Sequence, residues 1–106
     1  MQRICFVLHV RPEKIQEYRE RHASVWPAML EALQKAGWKN YSLFLQPDGL
    51  LVGYFETEDV AVAQQKMQAA PVNDRWQLEM AQYFEKLGEA TPDRSMVPLA
   101  EIFHLD

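Results

Sequence analysis

The sequence predicts an α+β fold, and three observations lead to this prediction. The chain has 106 residues, of which 48% are hydrophobic, which suffices for one core and is too short for two. Short runs of β-branched and aromatic residues alternate with segments in which apolar residues recur at helical spacing. Their order is strand, helix, strand, strand, helix, strand. We therefore expect residues 1–106 to form one domain, with helices on one side of an antiparallel four-stranded sheet.

The first strand and the first helical region are predicted from residues 4 to 37. Residues 4–10 are apolar enough for a strand that is covered on both faces, and Pro12 follows as a stop. Aromatic and apolar residues then recur at helical spacing, which predicts a long amphipathic helix that ends at Gly37. Pro27 lies inside this helix and removes a backbone donor. The helix should therefore kink one turn earlier or restart after Trp26.

A hairpin and a second helical region are predicted next. Residues 41–46 and 50–56 are strand-like and are separated by Pro-Asp-Gly, which suits a tight reversal. Thr57 is positioned to cap a short helix, and Pro71 to begin another one. The last helix has an apolar stripe consisting of Val72, Trp76, Met80, Tyr83 and Leu87.

A closing strand completes the predicted fold. Residues 88–95 should form a loop, and residues 97–104 the closing strand. The complete order is the ferredoxin-like βαββαβ arrangement. Large apolar side chains point to both faces of the predicted sheet, as Phe6 and Val7 do on the first strand, so the second face needs a cover. We expect both a homodimer that packs sheet to sheet and a curled sheet that encloses a pocket.

Composition excludes several classes of function. Eleven Lys and Arg oppose fifteen Asp and Glu, and the basic residues are scattered, which argues against nucleic acid as a partner. Cys5 is the single cysteine, so no disulfide forms. The histidines lack metal-ligand spacing, and no phosphate loop or serine-hydrolase elbow occurs. No segment has the character of a leader or a membrane span, so we expect a cytoplasmic protein.

Candidate chemistry begins on the first helix. Tyr18 and His22 are four residues apart and therefore lie on the same helical face, with Trp26 four residues further on. Aromatic faces pack on sugar rings, and an imidazole that titrates near neutral pH can exchange protons with hydroxyls. The same stripe also fits ordinary core packing. Tyr41 suits a ligand contact and a structural hydrogen bond equally, and Trp76 suits a core position.

The chain resembles a known family. Residues 17–27 read E-Y-R-E-R-H-A-S-V-W-P, which resembles the E-Y-x-x-R-H-x-x-x-W-P signature of the L-rhamnose mutarotase family. Further matches occur at residues 40–42, 75–76, 92–93 and 101–105. The resemblance therefore extends over nearly the whole chain. It implies a dimeric α+β barrel that interconverts the α and β anomers of a free sugar, most simply L-rhamnose, without a cofactor.

The resemblance also assigns roles to residues. The family's proton donor falls on His22, and Trp26 takes a supporting role. The substrate-contacting positions that match in residue type are Tyr18, Tyr41 and Trp76. The next position is Gln77, where family members commonly carry a second tryptophan. An amide contact to the sugar is expected there, which leaves L-fucose or another aldose open as the substrate.

Anomer exchange requires proton transfer at two oxygens. An acid protonates the ring oxygen while a base accepts the proton of the anomeric hydroxyl, and positioned acid–base catalysis contributes about 10²–10⁴-fold. Protonated His22 is the predicted acid, and the sequence does not identify the base. Two other classes of function fit the same fold: a cofactor-free or haem-handling oxygenase, and a sugar-binding module without catalysis.

Overall fold

The computed structural model describes residues 1–85 and 91–106. Its helices and strands follow in the predicted order, which confirms the α+β class. In chain order they are β1 (Gln2–His9), α1 (Ile15–His22), α2 (Pro27–Lys35), β2 (Lys39–Leu45), β3 (Leu50–Thr57), α3 (Val60–Gln68), α4 (Pro71–Met80) and β4 (Val97–Pro98). Short 3₁₀ turns lie at Pro12–Lys14, Ala81–Tyr83 and Pro92–Arg94.

The sheet has the ferredoxin-like strand order. Its four strands are arranged β2-β3-β1-β4 and every neighbouring pair is antiparallel. The central pair, β1 and β3, is in register from Gln2 opposite Thr57 to His9 opposite Leu50. The predicted Pro-Asp-Gly reversal joins β2 to β3, and the Asp48 carboxylate accepts a hydrogen bond from the Leu50 amide at 3.0 Å. The hairpin prediction is therefore confirmed.

The core lies between one face of the sheet and the helices. The largest fully buried side chains are Tyr83, Phe6, Phe55, Leu51 and Val10. Gly53 faces Phe6 across β1 and β3, and the Phe6 ring occupies the space in which a Cβ at Gly53 would stand. A side chain at position 53 would therefore displace the ring at the centre of the core.

The first helical region restarts rather than kinks. Trp26 has an extended backbone, with φ −55° and ψ 130°, and Pro27 is the first residue of α2. Proline is well suited to this position because the first helical residues have no intrahelical acceptor for their N–H groups. Of the two predicted outcomes, the restart after Trp26 is thus the one that occurs. The region ends as expected, with Gly37 in the left-handed conformation at φ 92°.

The N-cap of α3 is Asp59, so the prediction of Thr57 as the cap is wrong. The Asp59 carboxylate accepts hydrogen bonds from the backbone amides of Ala61 and Val62, at 3.0 and 3.3 Å. Thr57 is instead the last residue of β3 and is buried. A cap must lie directly before the first helical turn, and the strand continues one residue further than predicted.

The closing strand is shorter than predicted, because only Val97–Pro98 pairs with β1. Pro98 has no amide to donate, although the next amide, of Leu99, still reaches the Cys5 carbonyl at 2.8 Å. The register places Glu101 opposite Arg3, where the two form an ion pair at 2.6 Å. Only Gln2 of β1 lies beyond Arg3, and residues 99–106 belong to none of the strands in the described part of the chain.

The prediction for the last helix is only partly tested. The helix α4 ends at Met80 and Ala81–Tyr83 continues as a 3₁₀ turn, so Tyr83 follows the helix rather than belonging to it. Leu87 and the first residues of the predicted loop, 88–90, lie outside the described residues.

Candidate active site

His22 is held in one orientation by its own helix. It is the last residue of α1, and its Nδ1–H donates a hydrogen bond to the backbone carbonyl of Tyr18 at 3.0 Å. A carbonyl oxygen can only accept, so Nδ1 carries the proton and Nε2 is the nitrogen that remains for a ligand. The Tyr18 ring lies against the imidazole, with 4.2 Å between ring centroids. The four-residue spacing therefore brings the two side chains together as expected.

The rings of Tyr18 and His22 form an aromatic wall, and two tryptophans extend it. Trp76, on α4, makes a T-shaped contact with the His22 ring, with 5.6 Å between centroids. Trp26 in turn packs edge to face on Trp76, at 4.9 Å and 81°. The extended backbone at Trp26 turns its indole away from the helical stripe and towards α4. Trp26 thus contacts Trp76, which agrees with a supporting position.

His22 and Trp76 border a cavity of about 360 Å³, within the usual size range for small-molecule sites. Apolar residues such as Met29, Trp38 and Met67 form much of its lining. Its polar lining residues are His22, Tyr41, Gln64, Gln68, Asn73, Gln77 and Asp93. An adjoining recess of about 50 Å³ is lined by all five residues expected to contact or convert the substrate, which are Tyr18, His22, Tyr41, Trp76 and Gln77.

Tyr41 reaches the cavity through an irregularity in β2. The pairing of β2 with β3 shifts between Lys39 and Ser42, and Asn40 there has a positive φ of 49°. Such a bulge redirects the side chains that follow it, and asparagine tolerates the left-handed conformation better than most residues. The result is that Tyr41 packs 5.1 Å from Trp38, centroid to centroid, on the cavity side of the sheet.

Burial controls the protonation of the three titratable rings. It raises the pKa of Tyr18 far above the ordinary value. Burial, and secondarily the negative charge of Asp93, does the same to the pKa of Tyr41. The pKa of His22 is lowered by burial, an effect that the hydrogen bond to the Tyr18 carbonyl partly offsets. At neutral pH the site therefore holds two protonated phenols and a mostly neutral imidazole.

Comparison with known proteins identifies the family. A family model for L-rhamnose mutarotase matches residues 3–105. The chain belongs to the L-rhamnose mutarotase family. Among its relatives are the L-rhamnose mutarotases of Oceanobacillus iheyensis and Bacillus subtilis strain 168, each 36% identical over the full length of both chains. The resemblance noted from the motifs is thereby confirmed, together with the expected class of enzyme, a carbohydrate isomerase.

Solved structures agree on the fold. The crystal structure of an L-rhamnose mutarotase from Formosa agariphila covers the whole of both chains with a TM-score of 0.81 and 23% identity. A conserved protein from Methanosarcina mazei Go1 has a TM-score of 0.62 and 18% identity, and covers 92% of this chain and 88% of its own. At these identities the likeness concerns the fold, and it confirms the barrel-like α+β arrangement.

The structure adds polar residues to this mutarotase site that sequence reasoning did not single out. Asn73 is buried on α4, and its amide donates a hydrogen bond to the Asp93 carboxylate at 3.0 Å. Asp93 lies in a 3₁₀ turn twenty residues further along the chain. The match of Pro92-Asp93 to the family could have indicated that Asp93 belongs to the site. A sequence motif does not show, however, which way a carboxylate points.

Trp38 is one of the apolar lining residues that the sequence analysis did not single out. Its indole stacks on Phe55, with 3.8 Å between centroids, and its N–H donates to the Ala63 carbonyl at 3.2 Å.

In the part of the chain that the structure describes, no three His, Cys, Asp or Glu side chains are grouped to hold a metal ion. Nor is any helix of that part long and apolar enough to cross a membrane.

Proposed function

We propose that this protein interconverts the α and β anomers of L-rhamnose, with His22 as the proton-transferring residue. The observation that carries the proposal is the imidazole whose Nδ1 is occupied by the Tyr18 carbonyl and whose ring stands between Tyr18 and Trp76 at a cavity of sugar-binding size. Family membership supports the choice of reaction and of sugar.

Burial of His22 sets the order of the proton transfers. Since burial lowers the pKa of His22, its resting form is the neutral imidazole, which can accept a proton at Nε2. Nε2 takes the proton of the anomeric hydroxyl, whose oxygen electrons form the C1 carbonyl as the bond from C1 to the ring oxygen breaks. The imidazolium then donates its proton to the ring oxygen. His22 is therefore the proton donor after first serving as the base.

Anomer exchange follows from rotation of the open-chain aldehyde. The bond next to C1 turns, so that the ring oxygen can attack the opposite carbonyl face. The ring hydroxyl returns its proton through the same imidazole to the carbonyl oxygen, which becomes the anomeric hydroxyl again. No electron is gained or lost and no group is transferred, so the reaction needs no redox cofactor.

The two phenols and the Trp76 indole are proposed to bind the sugar. Within residues 1–85 and 91–106, no side-chain hydrogen bond involves the hydroxyl of Tyr18 or of Tyr41. Neither hydroxyl is fully enclosed, since every fully enclosed side-chain nitrogen and oxygen of this part of the chain has a hydrogen-bond partner. Both phenols stay protonated at neutral pH because burial raises the pKa of each. They can therefore donate to sugar oxygens while Trp76 packs against the ring carbons.

His22→Ala tests the proposal directly. We expect this variant to bind L-rhamnose nearly as well as the parent protein but to lose most catalysed anomer exchange, about 10²-fold or more. Exchange is followed by saturation-transfer NMR, with the uncatalysed rate in buffer subtracted. His9→Ala is the matched control, because His9 is an exposed histidine at the end of β1 and should retain full activity.

The outcomes separate the competing functions. Unchanged exchange in His22→Ala would remove His22 from the mechanism. A parent protein that binds L-rhamnose without accelerating exchange would be a sugar-binding module, and oxygen consumption with a quinol would indicate an oxygenase. A panel that includes L-fucose determines whether the preferred sugar is L-rhamnose.

We also propose that the protein is a homodimer that packs through the outer face of its sheet, the face opposite the helices. The paired strands place Val7, Val52 and Phe44 on that face, and the Phe44 side chain is 62% exposed. A large exposed aromatic residue next to two half-buried valines is typical of a surface that another protein covers.

We expect this dimer to act in the cytoplasm, without nucleic acid or membrane partners.

A further inference from the structure

Arg21 belongs to the signature around His22, and neither the family resemblance nor the proposed mechanism gives it a role. It lies in the last turn of α1, directly before His22. Successive residues of an α-helix are about 100° apart around its axis, so Arg21 points away from the face that Tyr18 and His22 share. Its guanidinium reaches the turn that follows α4, where Nε donates a hydrogen bond to the Tyr83 hydroxyl at 3.2 Å.

The Tyr83 hydroxyl depends on this contact. Tyr83 is 0% exposed, and within residues 1–85 and 91–106 Arg21 is the one side chain that bonds to its hydroxyl. A buried hydroxyl without a partner costs free energy, and a hydrogen bond from a charged donor is among the stronger ones. Arg21 also approaches Glu79, but at 3.7 Å between two exposed side chains this ion pair contributes little. Tyr83 is therefore the main anchor of Arg21.

Tyr83 and the next residue, Phe84, hold the ring of Tyr18. Both rings meet Tyr18 edge to face, with 5.8 and 5.5 Å between centroids. The two residues are themselves tied to the end of β1, because their carbonyls accept hydrogen bonds from the amide and from Nε of Arg11, at 2.7 and 3.1 Å. In the described part of the chain no side-chain hydrogen bond involves the Tyr18 hydroxyl. Ring packing therefore sets the direction of this phenol.

The contact between Arg21 and Tyr83 also joins the two helices that flank the imidazole. His22 comes from α1 and Trp76 from α4, with 5.6 Å between their ring centroids. Arg21 connects the same turn of α1 to the residue that ends the turn after α4. If the last turn of α1 moved away from α4, it would break the bond to Tyr83 and would displace Tyr18 and His22 together.

We propose that Arg21 is a positioning residue for anomer exchange, because its hydrogen bond to Tyr83 fixes the last turn of α1 and thereby sets the rings of Tyr18 and His22 against a bound sugar. Proton transfer requires donor and acceptor within hydrogen-bond reach, and a misplacement of about 1 Å can cost about 10²-fold in rate. Arg21 acts through Tyr83 and does not itself contact the sugar. This inference rests on the proposed anomer exchange by His22.

Tyr83→Phe is the first test, because it removes the hydroxyl and keeps the ring. We expect kcat with L-rhamnose to fall about tenfold while KM changes much less, since His22 alone transfers the proton whereas several side chains share sugar binding. Lys14→Ala is the matched control. Its ammonium lies 5.7 Å from the centroid of the same Tyr83 ring, but it comes from the turn before α1 and should leave kcat unchanged. Parental kcat in a folded Tyr83→Phe protein would overturn the proposal.

Arg21→Met tests the same hydrogen bond from the other side and does not depend on Tyr83→Phe being stable. Methionine keeps a long apolar stem and lacks the donor and the charge. Its kcat should fall at least as much as that of Tyr83→Phe. The double variant should be no slower than Arg21→Met alone, since both changes remove one contact. Losses that add in the double variant, or a lower melting temperature with unchanged kcat, would contradict the positioning role.

The His22 ring gives a readout that does not depend on catalysis. The rings of Tyr18 and Trp76 lie close to the imidazole, so their ring currents shift its proton NMR signals. We expect Tyr83→Phe to move these signals and Lys14→Ala to leave them in place. Unchanged His22 signals in Tyr83→Phe would contradict the inference.

These signals distinguish failure of the inference from failure of the proposed function. A parent protein that does not exchange the anomers of L-rhamnose would contradict the proposed function, and the His22 signals would still test the positioning by Arg21. Exchange by the parent protein, with unaltered kinetics and signals in Tyr83→Phe, would contradict only the role of Arg21.

Discussion

At the scale of single residues, one hydrogen bond decides which nitrogen of His22 remains for a ligand. The Tyr18 carbonyl lies one helical turn before the imidazole and accepts a hydrogen bond from its Nδ1–H at 3.0 Å. This contact is local, because residues four apart always adjoin on a helix. The free Nε2 therefore depends on α1 continuing as far as His22.

The pH dependence of catalysis should reveal the resting state of His22. Because burial lowers its pKa below the ordinary value of 6.5, the neutral base dominates at pH 7, and the catalysed rate should be constant there. The rate should fall only as the pH drops below about 6.5 and the imidazole becomes protonated. Anomer exchange measured across pH, less the buffer rate, checks this. A rate that rises on acidification would mean that the resting imidazolium acts first.

Asn40 allows a second residue-scale test, because its positive φ of 49° sets the direction of Tyr41. Asn40→Gly should keep the bulge and the affinity for sugar, whereas Asn40→Val should be destabilised by about 1–2 kcal/mol because a β-branched residue strains that backbone. Both variants lose the same hydrogen bond to Glu56, so they form a matched pair. Urea unfolding and sugar titration measure the effects, and equal behaviour of the two would show that backbone conformation is unimportant there.

At the scale of elements, the break between α1 and α2 shapes the aromatic wall. An uninterrupted helix would place Trp26 on the same helical face as Tyr18 and His22. Pro27 instead begins a new helix, and the extended backbone before it directs the Trp26 indole onto Trp76. The restart therefore leaves Trp76, rather than Trp26, beside the imidazole.

The start of α3 provides an element-scale prediction. Asp59→Ala removes a side chain that accepts from two backbone amides, so it should lower the free energy of unfolding by about 0.5–2 kcal/mol. Glu58→Ala is the control, because Glu58 is an exposed neighbour next to the cap and should change stability by much less. Urea denaturation compares them. Equal losses in the two variants would show that charge near the helix end, rather than capping, matters.

At the scale of the whole molecule, two exposed apolar surfaces are available to the proposed homodimer. The outer face of the sheet exposes Phe44, and the segment after β4 exposes Ile102, Phe103 and Leu105. These three side chains lie at or beyond the place where the antiparallel register runs off the end of β1. Apolar groups in that position gain little from their own chain, and another protomer would bury them.

Phe44→Arg tests the homodimer. We expect the parent protein to have twice the mass of one chain by light scattering, and Phe44→Arg to shift it towards the monomer, because a charge would be buried in the interface. Leu78→Arg is the control, since Leu78 on α4 is more exposed but lies away from the sheet. A parent protein that runs as a monomer at micromolar concentration would contradict the dimer proposal.

The sequence by itself determined what depends on neighbours along the chain. The order of strands and helices, the hairpin turn, the two outcomes at Pro27 and the pairing of Tyr18 with His22 all follow from periodicity and turn chemistry over a few residues. The motif around His22 also identified the family.

Only the tertiary structure decided what depends on distant segments. The hydrogen bonds among Asn73, Gln77 and Asp93 join residues up to twenty apart, and the closing strand is short because Pro98 has no amide to donate to β1. Sequence reasoning assigned Gln77 to the sugar because a residue's type does not show whether its amide is already engaged. Such contacts arise when elements pack, and no local pattern records them.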